Sequence, residues 1–290
     1  MEPYSVLMSV YHKADPAFFD AALKSMVEQT IMSNDIVIVC DGPLTPELDA
    51  VLEKYCIQYP GVFNPVHLET NVGIGAAANI GLRYCKNELI AKMDSDDIAI
   101  PTRCEKQLER FVQCPELTVL GGHIAEFDTD PQNPISIRAV PIENKAIRQF
   151  ARRRQPFNNM TVMYRRNAVL AVGGYRKLKR GEDFDLFIRL IASNYYCENL
   201  DSILVHARTD KDALSRRGAM DSLKGCIKSR WTAHKLGCAS LLDFCMCVCG
   251  ELVIMISPLW LKKYLYSRFL RKSASTKNAA HISTGKIKPQ

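Results

Sequence analysis

A chain of 290 residues with 47% apolar side chains is long enough for one large domain, or for one domain with an appendage. The formal net charge is +7, but residues 261–290 hold eight Lys or Arg and no Asp or Glu, which leaves the rest at −1. The composition therefore argues against a nucleic-acid groove across the domain and predicts a local basic anchor at the C-terminus.

Cysteine usage indicates a reducing compartment. The chain has 11 cysteines, an odd number, and most of them lie inside apolar runs. Met1-Glu2-Pro3-Tyr4 leads directly into an apolar segment, without the pattern of a secretory signal. Buried reduced thiols in a cytoplasmic protein are the expectation. Cys245-x-Cys247-x-Cys249 lacks a second ligand pair with zinc spacing, which favours apolar packing positions over a metal site.

The first half of the sequence alternates apolar strands with helices. Asp15-Pro16 and Thr45-Pro46 each place an N-cap residue before a proline at the first helical position. The pattern predicts strands over 4–10, 35–40, 62–68 and 89–93, and helices over 15–29, from 45, and from 75 to 84. Continuous apolar strands separated by helices predict a parallel α/β sheet covered on both faces.

Three carboxylates, Asp94, Asp96 and Asp97, follow the fourth strand directly. Packing does not favour acids there, because like charges repel and burying charge is costly. Mg²⁺ and Mn²⁺ take carboxylate oxygens and share them with substrate phosphates, so the cluster predicts a metal–diphosphate site. The alternative is an acidic turn that caps the helix after Pro101. Asp41 also follows a strand end, so these acids are expected to meet in one crevice.

A glycine motif precedes the third helix. Gly73-x-Gly75 resembles part of a dinucleotide-binding fingerprint, but it follows the third strand rather than the first, and Ala78 stands at its third position. The pattern therefore indicates a tight loop that allows close approach of a nucleotide, or simply a turn.

The second half is less regular. It predicts a helix over 101–114, strands over 117–127 and 158–164, a polar loop over 128–141, a short helix ending at 173, a helix over 182–193, short strands over 196–200 and 204–208, and helices from 219. The expected division is a domain over 1–218, a helical segment over 219–276, and a disordered basic tail over 277–290.

The segment 239–261 is strongly apolar but carries Asp243, Glu251 and Pro258. A spanning helix needs about 20 residues with few or no charges, so the segment is not expected to cross a membrane. The segment ends with Trp260 and Leu261, and a basic cluster follows. This pattern is typical of helices that lie on an anionic membrane surface. The alternative is that these helices pack on the domain and the tail is solvated.

Several motifs occur together in a fixed order. They are Ser5–Val10 followed by Tyr11, Ser25-x-x-x-Gln29-Thr30, Val39-Cys40-Asp41-Gly42, Asn71-x-Gly73-x-Gly75 with Asn79-x-Gly81, Met93-Asp94-Ser95-Asp96-Asp97, Gly121-Gly122, Val172-Gly173-Gly174-Tyr175 and Glu182-Asp183-x-Asp185-Leu186. Over residues 4–217 the chain resembles the family 2 glycosyltransferases, and most of all the bacterial enzymes of O-antigen, capsule or exopolysaccharide (amylovoran-type) synthesis. The resemblance implies the GT-A fold, a Rossmann-like three-layer αβα sandwich, here with a C-terminal helical appendage.

The resemblance also implies residue roles. Asp41 matches the acid that hydrogen-bonds the uracil ring, where the family usually has two acids and this chain has Cys40 first. Asp94 and Asp96 match the DxD acids that hold Mn²⁺ or Mg²⁺ on the donor diphosphate. Asp183 matches the catalytic base, with Glu182 beside it. Further implied nucleotide-sugar contacts are Ser9, Tyr11, Asn71, Gly75, Asn79, Asp94, Ser95, Arg208 and Arg217; Asp97 is an additional metal candidate and His206 a weaker one.

The chemistry of glycosyl transfer needs these groups independently of the resemblance. A metal ion stabilises the leaving diphosphate, and a carboxylate accepts the proton of the acceptor hydroxyl. The alternative reading of Glu182 and Asp183 is a pair of ordinary acids in a first helical turn. Arg208 and Arg217 lie where the family often has a basic loop that closes on the diphosphate, and the alternative is a solvated loop.

The expected function is inverting transfer of a hexose, Glc or Gal favoured, from a UDP-sugar to an undecaprenyl-diphosphate-linked saccharide. Single displacement would give a β-linkage. The expected location is the cytoplasm, with the protein bound peripherally to the inner face of the cell membrane. The alternative is a non-catalytic nucleotide-sugar or polysaccharide-binding module. A nucleotidyltransferase is disfavoured, because Tyr11-His12-Lys13 stands where a phosphate-binding loop would be. The donor sugar, the linkage, the preferred metal and the oligomeric state are left open.

Overall fold

A computed structural model describes residues 1–209, 220–257 and 272–273 of the chain. Four of the expectations above lie outside the described residues: the diphosphate contact of Arg217, the domain boundary at 218, Trp260 with the basic residues over 262–271, and the tail over 277–290. Within the described residues the chain forms one mixed sheet with helices on both faces.

The sheet contains ten strands. They are β1 Tyr4–Val10, β2 Asp35–Cys40, β3 Phe63–His67, β4 Leu89–Asp94, β5 Ile98–Ala99, β6 Leu117–Phe127, β7 Ser136–Arg138, β8 Met163–Arg165, β9 Tyr196–Arg208 and β10 Lys272–Ser273. The strand order is β10-β7-β6-β8-β4-β1-β2-β3, and β9 pairs with both β5 and β6 off this path. The parallel pairing predicted for the first four strands is confirmed, whereas β8 runs antiparallel to both β4 and β6.

Nine helices are described. They are α1 Pro16–Val27, α2 Pro46–Gln58, α3 Ile74–Tyr84, α4 Arg103–Gln113, α5 Asn144–Ala151, α6 Arg166–Ala171, α7 Glu182–Ala192, α8 Met220–Lys235 and α9 Leu241–Ile256. α1, α2 and α4 bury their apolar side chains on one face of the sheet. α3, α5, α6 and α7 cover the other face. The predicted three-layer αβα architecture of the GT-A fold is therefore present.

Three expectations for the second half are wrong in detail. The strand predicted over 158–164 is instead a 3₁₀ turn, Asn159–Thr161, followed by β8. Asn158 Nδ2 donates to Gly122 O (2.9 Å), and this bond holds the turn beside β6. The two short strands predicted over 196–208 form the single strand β9, which follows β6 through register shifts near Gly122. The predicted loop over 128–141 contains β7, since this segment pairs with β6.

The helices after residue 219 contact the domain unequally. The Arg230 guanidinium of α8 lies 3.8 Å from the centroid of the Phe184 ring of α7. At the start of α9, Asp243 caps the helix through Ser240 and also accepts hydrogen bonds from Arg152 and Arg153 (2.8 and 2.5 Å). No helix within the described ranges is long and apolar enough to cross a membrane. Both helices are thus attached to the domain, α9 mainly at its first turn.

Candidate functional site

The carboxyl ends of the parallel strands meet at one edge of the sheet, as their apolar runs predict. Ser9 near the end of β1 lies in register with Val39 of β2 on one side and with Asp94 of β4 on the other. Its hydroxyl oxygen is buried and has no hydrogen-bond partner among the described residues. Tyr11 follows the same strand and is exposed. This edge therefore brings together Ser9, Asp94 and the loop after β2.

Asp41 organises the loop that precedes α3. Its carboxylate accepts hydrogen bonds from Val72 N (2.7 Å) and Gly73 N (3.1 Å), while Asn71 Nδ2 donates to Asp41 O (3.1 Å). Gly73 has a φ of +89°, a conformation that glycine adopts without steric cost. The predicted partners Asp41 and Asn71 thus lie together, but both carboxylate oxygens of Asp41 already accept from backbone amides.

The first turn of α3 contacts the start of α7. A Cβ on Gly75 would lie 3.3 Å from Glu182 Cγ, so the absence of a side chain there allows the close approach. Asn79 Oδ1 accepts a hydrogen bond from Tyr175 N (2.7 Å), and Asn79 Nδ2 donates one to Tyr175 O (2.5 Å). Asn79, predicted to contact the nucleotide sugar, therefore holds the Tyr175 turn against α3. A cleft of about 710 Å³ separates residues 71–76 from the basic segment 176–180.

The three acids after β4 occupy different environments. Asp94 is partly exposed, and its Oδ1 lies 3.9 Å from Lys92 Nζ. Asp96 is exposed, and Ser95 between the two acids is partly buried. Asp97 is buried and accepts a hydrogen bond from Arg208 N (2.8 Å). Burial, together with the negative charges of Asp96 and Asp94, raises the pKa of Asp97 well above its usual range. The hydrogen bond from Arg208 N directs the Asp97 carboxylate towards the backbone of β9.

Two residues of β9 flank this cluster. The Arg208 guanidinium stacks on Phe18 and Phe127, 3.7 and 4.6 Å from the ring centroids, and Nε donates to Asp96 O (3.3 Å). His206 lies in register with Ile98, next to Asp97 in the chain. Burial lowers the pKa of His206, and its Nδ1 is buried without a hydrogen-bond partner in the described part of the chain. Arg208 thus contacts the acid cluster mainly through its backbone.

Two buried cations that were not among the predicted site residues lie behind the acids. Lys92 is 1% exposed, and its ammonium has no hydrogen-bond partner among the described residues. Burial lowers the pKa of Lys92, which the Asp94 carboxylate opposes. The fully buried Arg103 donates to Lys92 O (2.7 Å). A lysine inside an apolar strand is a sequence signal that would have identified Lys92, whereas Arg103 lies in an ordinary amphipathic helix.

The acids at the start of α7 face the acids of β4. Burial raises the pKa of Glu182 to about 7, and the neighbouring Asp183 charge adds to the shift. Burial also raises the pKa of Asp183, opposed by hydrogen bonds from Phe184 N and Gln155 Nε2, both 2.7 Å, and by the charge of Arg138. The Asp94 charge raises the pKa of both acids. Carboxylates some 90 residues apart in the chain therefore share one electrostatic site.

The acids after β4 fit part of a divalent-cation site. No group of three His, Cys, Asp or Glu side chains among the residues described could by itself hold a metal ion. Mg²⁺ and similar hard cations are usually held by one or two carboxylates together with substrate phosphates. Asp94 and Asp96 present such carboxylates at the open edge of the sheet. His206, whose Nδ1 has no partner among the described residues, pairs with Ile98 just after them. The donor set therefore fits a site that a diphosphate completes.

The raised pKa of Glu182 has a consequence for stability. The unfolded chain releases this proton near pH 4.5 and the folded protein near pH 7. Between these values the folded protein binds more protons, so its free energy of unfolding falls as the pH rises. We expect Glu182→Gln, which stays neutral, to be more stable than wild type by roughly 1–3 kcal/mol above pH 7, and the gain to vanish below pH 4.5. Urea unfolding between pH 4 and 8 measures the difference.

The control for this measurement is Glu109→Gln, which neutralises an exposed glutamate on α4. Its stability relative to wild type should change little over the same pH range, because solvent screens an exposed charge. A pH-independent difference between wild type and Glu182→Gln would contradict the raised pKa.

Comparison with known proteins points to one family. The model of the family described as "Glycosyl transferase family 2" matches residues 5–178. The chain is 38% identical to an uncharacterized glycosyltransferase of Haemophilus influenzae, over 93% of this chain and 99% of that protein. It is 35% identical to the amylovoran biosynthesis glycosyltransferase AmsE of Erwinia amylovora, over 78% of this chain and 83% of that one.

A third relative has a more specific name. The chain is 29% identical to the UDP-Gal:alpha-D-GlcNAc-diphosphoundecaprenol beta-1,3-galactosyltransferase of Escherichia coli, over 93% of this chain and 97% of that protein. Among solved structures, the mannosyltransferase PcManGT from Pyrobaculum calidifontis in complex with GDP-Man and Mn²⁺ has a TM-score of 0.63. It is 13% identical, over 98% of this chain and 79% of that one. S. aureus TarS 1–349 in complex with UDP-GlcNAc has a TM-score of 0.59 at 17% identity, over 92% and 71%. These likenesses confirm the predicted fold.

Proposed function

The chain belongs to the family 2 glycosyltransferases, and from this premise we propose that it transfers a hexose, Glc or Gal favoured, from a UDP-sugar to an undecaprenyl-diphosphate-linked saccharide in the synthesis of O-antigen or another surface polysaccharide. The observation that carries the proposal is that the acids of β4 and α7 share one site, since the Asp94 charge raises the pKa of Asp183. The Escherichia coli relative, named for transfer from UDP-Gal to a lipid-linked GlcNAc, supports this choice of substrates.

Asp94 and Asp96 are the proposed ligands of a divalent cation, Mn²⁺ or Mg²⁺. Both carboxylates reach the open edge of the sheet, whereas Asp97 is turned towards Arg208 N. When bound, the cation supplies Lewis-acid stabilisation of the charge that develops on the leaving diphosphate. His206 is a weaker candidate for the same ion.

Asp183 is the proposed catalytic base. It accepts the proton of the acceptor hydroxyl while the acceptor oxygen bonds to the anomeric carbon and the bond from that carbon to the diphosphate oxygen breaks. The hydrogen bond from Gln155 orients the Asp183 carboxylate for this task. A single displacement from the face opposite the leaving group inverts the anomeric centre, so an α-linked donor gives a β-linked product.

The nucleotide is proposed to lie along the strand ends. Ser9 offers a buried hydroxyl oxygen that has no hydrogen-bond partner among the described residues. Asp41 and Asn71, which are joined by a hydrogen bond, would contact the nucleotide at the end of β2. Remaining proposed donor contacts are Tyr11, Gly75, Ser95 and Arg208, the last after its guanidinium leaves Phe18 and Phe127.

Attachment to the inner face of the cell membrane is proposed for α9. Leu242, Val253 and Ile256 of this helix are 65%, 51% and 77% exposed, which is unusual for apolar side chains so close together. Interfacial helices bury such a face among lipid headgroups. Flotation with phosphatidylglycerol vesicles tests the idea. Recovery of the wild type with the vesicles, and its loss in Leu242→Glu/Ile256→Glu, is expected; an unbound wild type would refute it.

The donor specificity is tested with a panel of UDP-sugars and a GlcNAc acceptor α-linked to an undecyl diphosphate. In the presence of Mn²⁺ we expect transfer from one donor, UDP-Gal or UDP-Glc, and slow release of UDP from the same donor without acceptor. Inversion is checked by the anomeric configuration of the product in NMR spectra. Neither transfer nor hydrolysis with any UDP-sugar would refute the proposed function and favour the binding-module alternative.

A further inference from the structure

A second cavity opens beside Asp183, away from the nucleotide edge. It encloses about 470 Å³ between the segment after β7, the end of α5, and helices α8 and α9. Two of its lining residues act directly on Asp183: Gln155 donates to its carboxylate at 2.7 Å, and the positive charge of Arg138 lowers its pKa. A ligand in this cavity, which we call the α9 groove, therefore lies against two residues that interact with the proposed base.

The α9 groove is strongly cationic. Arg138, Arg153, Arg154 and Arg230 line it together with the acid Glu251. Arg153 also pairs with Asp243, so the charge available in the groove comes mainly from the other arginines. Arg230 is held on the Phe184 ring, and its Nη1 is buried without a hydrogen-bond partner among the described residues. Guanidinium groups donate pairs of hydrogen bonds that match phosphate oxygens. The charge and donor geometry therefore suit a phosphate or diphosphate.

Apolar side chains also line the groove. Phe150 of α5 and Met246 and Ile254 of α9 line it, and Met246 is 49% exposed. Leu242 and Val253 extend this apolar surface along α9. A third cavity of about 590 Å³ adjoins the groove and shares Phe150, Arg153 and Arg154 with it. The site thus combines phosphate donors with room for a hydrocarbon chain.

We infer that the α9 groove binds the diphosphate and the first part of the lipid chain of the acceptor, so that its sugar hydroxyl points to Asp183. The inference rests on the proposed function, and it assigns the acceptor to specific residues. Arg154 and Arg230 contact the diphosphate, and the lipid chain follows α9. Because α9 also carries the exposed apolar face, a lipid leaving the groove continues directly into a membrane surface.

The test measures binding of undecyl diphosphate without a sugar, under saturating UDP so that the donor site is occupied. Arg154 is exposed and stacks on Phe150, so replacing it does not disturb the core. We expect Arg154→Gln to raise the Kd for undecyl diphosphate at least tenfold and Arg154→Lys to raise it less, because Lys keeps the charge. Lys145→Gln, which removes an exposed charge on α5 outside the groove, is the matched control and should leave the Kd unchanged.

A second variant separates a lipid diphosphate from free inorganic pyrophosphate. Met246→Ser should weaken undecyl diphosphate at least fivefold while the Kd for pyrophosphate stays the same. Equal Kd values for undecyl diphosphate in wild type and Arg154→Gln, or equal effects of Met246→Ser on both probes, would overturn the inference.

The failure of the inference and the failure of the proposed function give different results. If the wild type transfers a sugar to the undecyl diphosphate acceptor but Arg154→Gln binds undecyl diphosphate normally, only the α9 groove is refuted. If no UDP-sugar is used with any acceptor, the proposed function is refuted, and with it the role of the groove as an acceptor site.

Discussion

Asp183→Asn is expected to reduce kcat for sugar transfer by about 100- to 10,000-fold, the usual contribution of a positioned general base. The amide has nearly the same shape as the carboxylate, and its oxygen still accepts the hydrogen bond from Phe184 N or from Gln155. It has no lone pair basic enough to take the proton of the acceptor hydroxyl. Initial rates at saturating donor and acceptor isolate this effect from substrate binding.

Glu182→Gln is the matched control for Asp183→Asn, because it removes the adjacent carboxylate of the same helix turn. Glu182 packs against Gly75 in the first turn of α3, whereas Gln155, which lines the α9 groove, orients Asp183. We therefore expect less than a tenfold loss of kcat in Glu182→Gln. The reverse ranking would make Glu182 the base, and kcat of the wild type should then rise with pH up to about 7 and level off above it.

The elements that could be predicted from the sequence are those with long, one-sided or continuous apolar patterns. The strand predicted over 117–127 coincides with β6, and the helix predicted from Glu182 begins at that residue. β5 and β7 have only two and three residues, so no periodic pattern can be recognised, and they form because β9 and β6 offer backbone partners. Pairing between distant segments decides such short strands, and one sequence does not show it.

The same distinction applies to the candidate site. Asp94 and Asp183 were predicted because carboxylates at strand and helix ends are chemically conspicuous. Gln155 was missed, because it lies 28 residues before its partner Asp183 and its amide has no special pattern around it. Arg153 and Arg154 of the groove are adjacent in the sequence, but their place in the groove beside Gln155 depends on how α8 and α9 pack. The surroundings of a catalytic group come from tertiary packing and cannot be derived from local sequence.

Asp96→Ala is expected to lower the rate of metal-dependent UDP-sugar turnover about 1,000-fold, since Lewis-acid stabilisation of a leaving group is worth several kcal/mol. Asp96 is exposed at the edge of the sheet, so the substitution does not disturb the core. The rate is measured as release of UDP over a range of Mn²⁺ concentrations. A weakened metal site should also shift the Mn²⁺ concentration that gives half-maximal rate upwards.

Asp97→Asn tests whether the buried Asp97 acts differently from the proposed metal ligands Asp94 and Asp96. Asp97 is buried, and burial together with the charges of Asp96 and Asp94 raises its pKa, so an uncharged amide fits this position. The Asn oxygen still accepts the hydrogen bond from Arg208 N, so a loss of less than tenfold is expected. A 1,000-fold loss in Asp97→Asn would instead mean that a bound cation draws Asp97 into its coordination sphere. Full activity of Asp96→Ala would remove Asp96 from the proposed metal site.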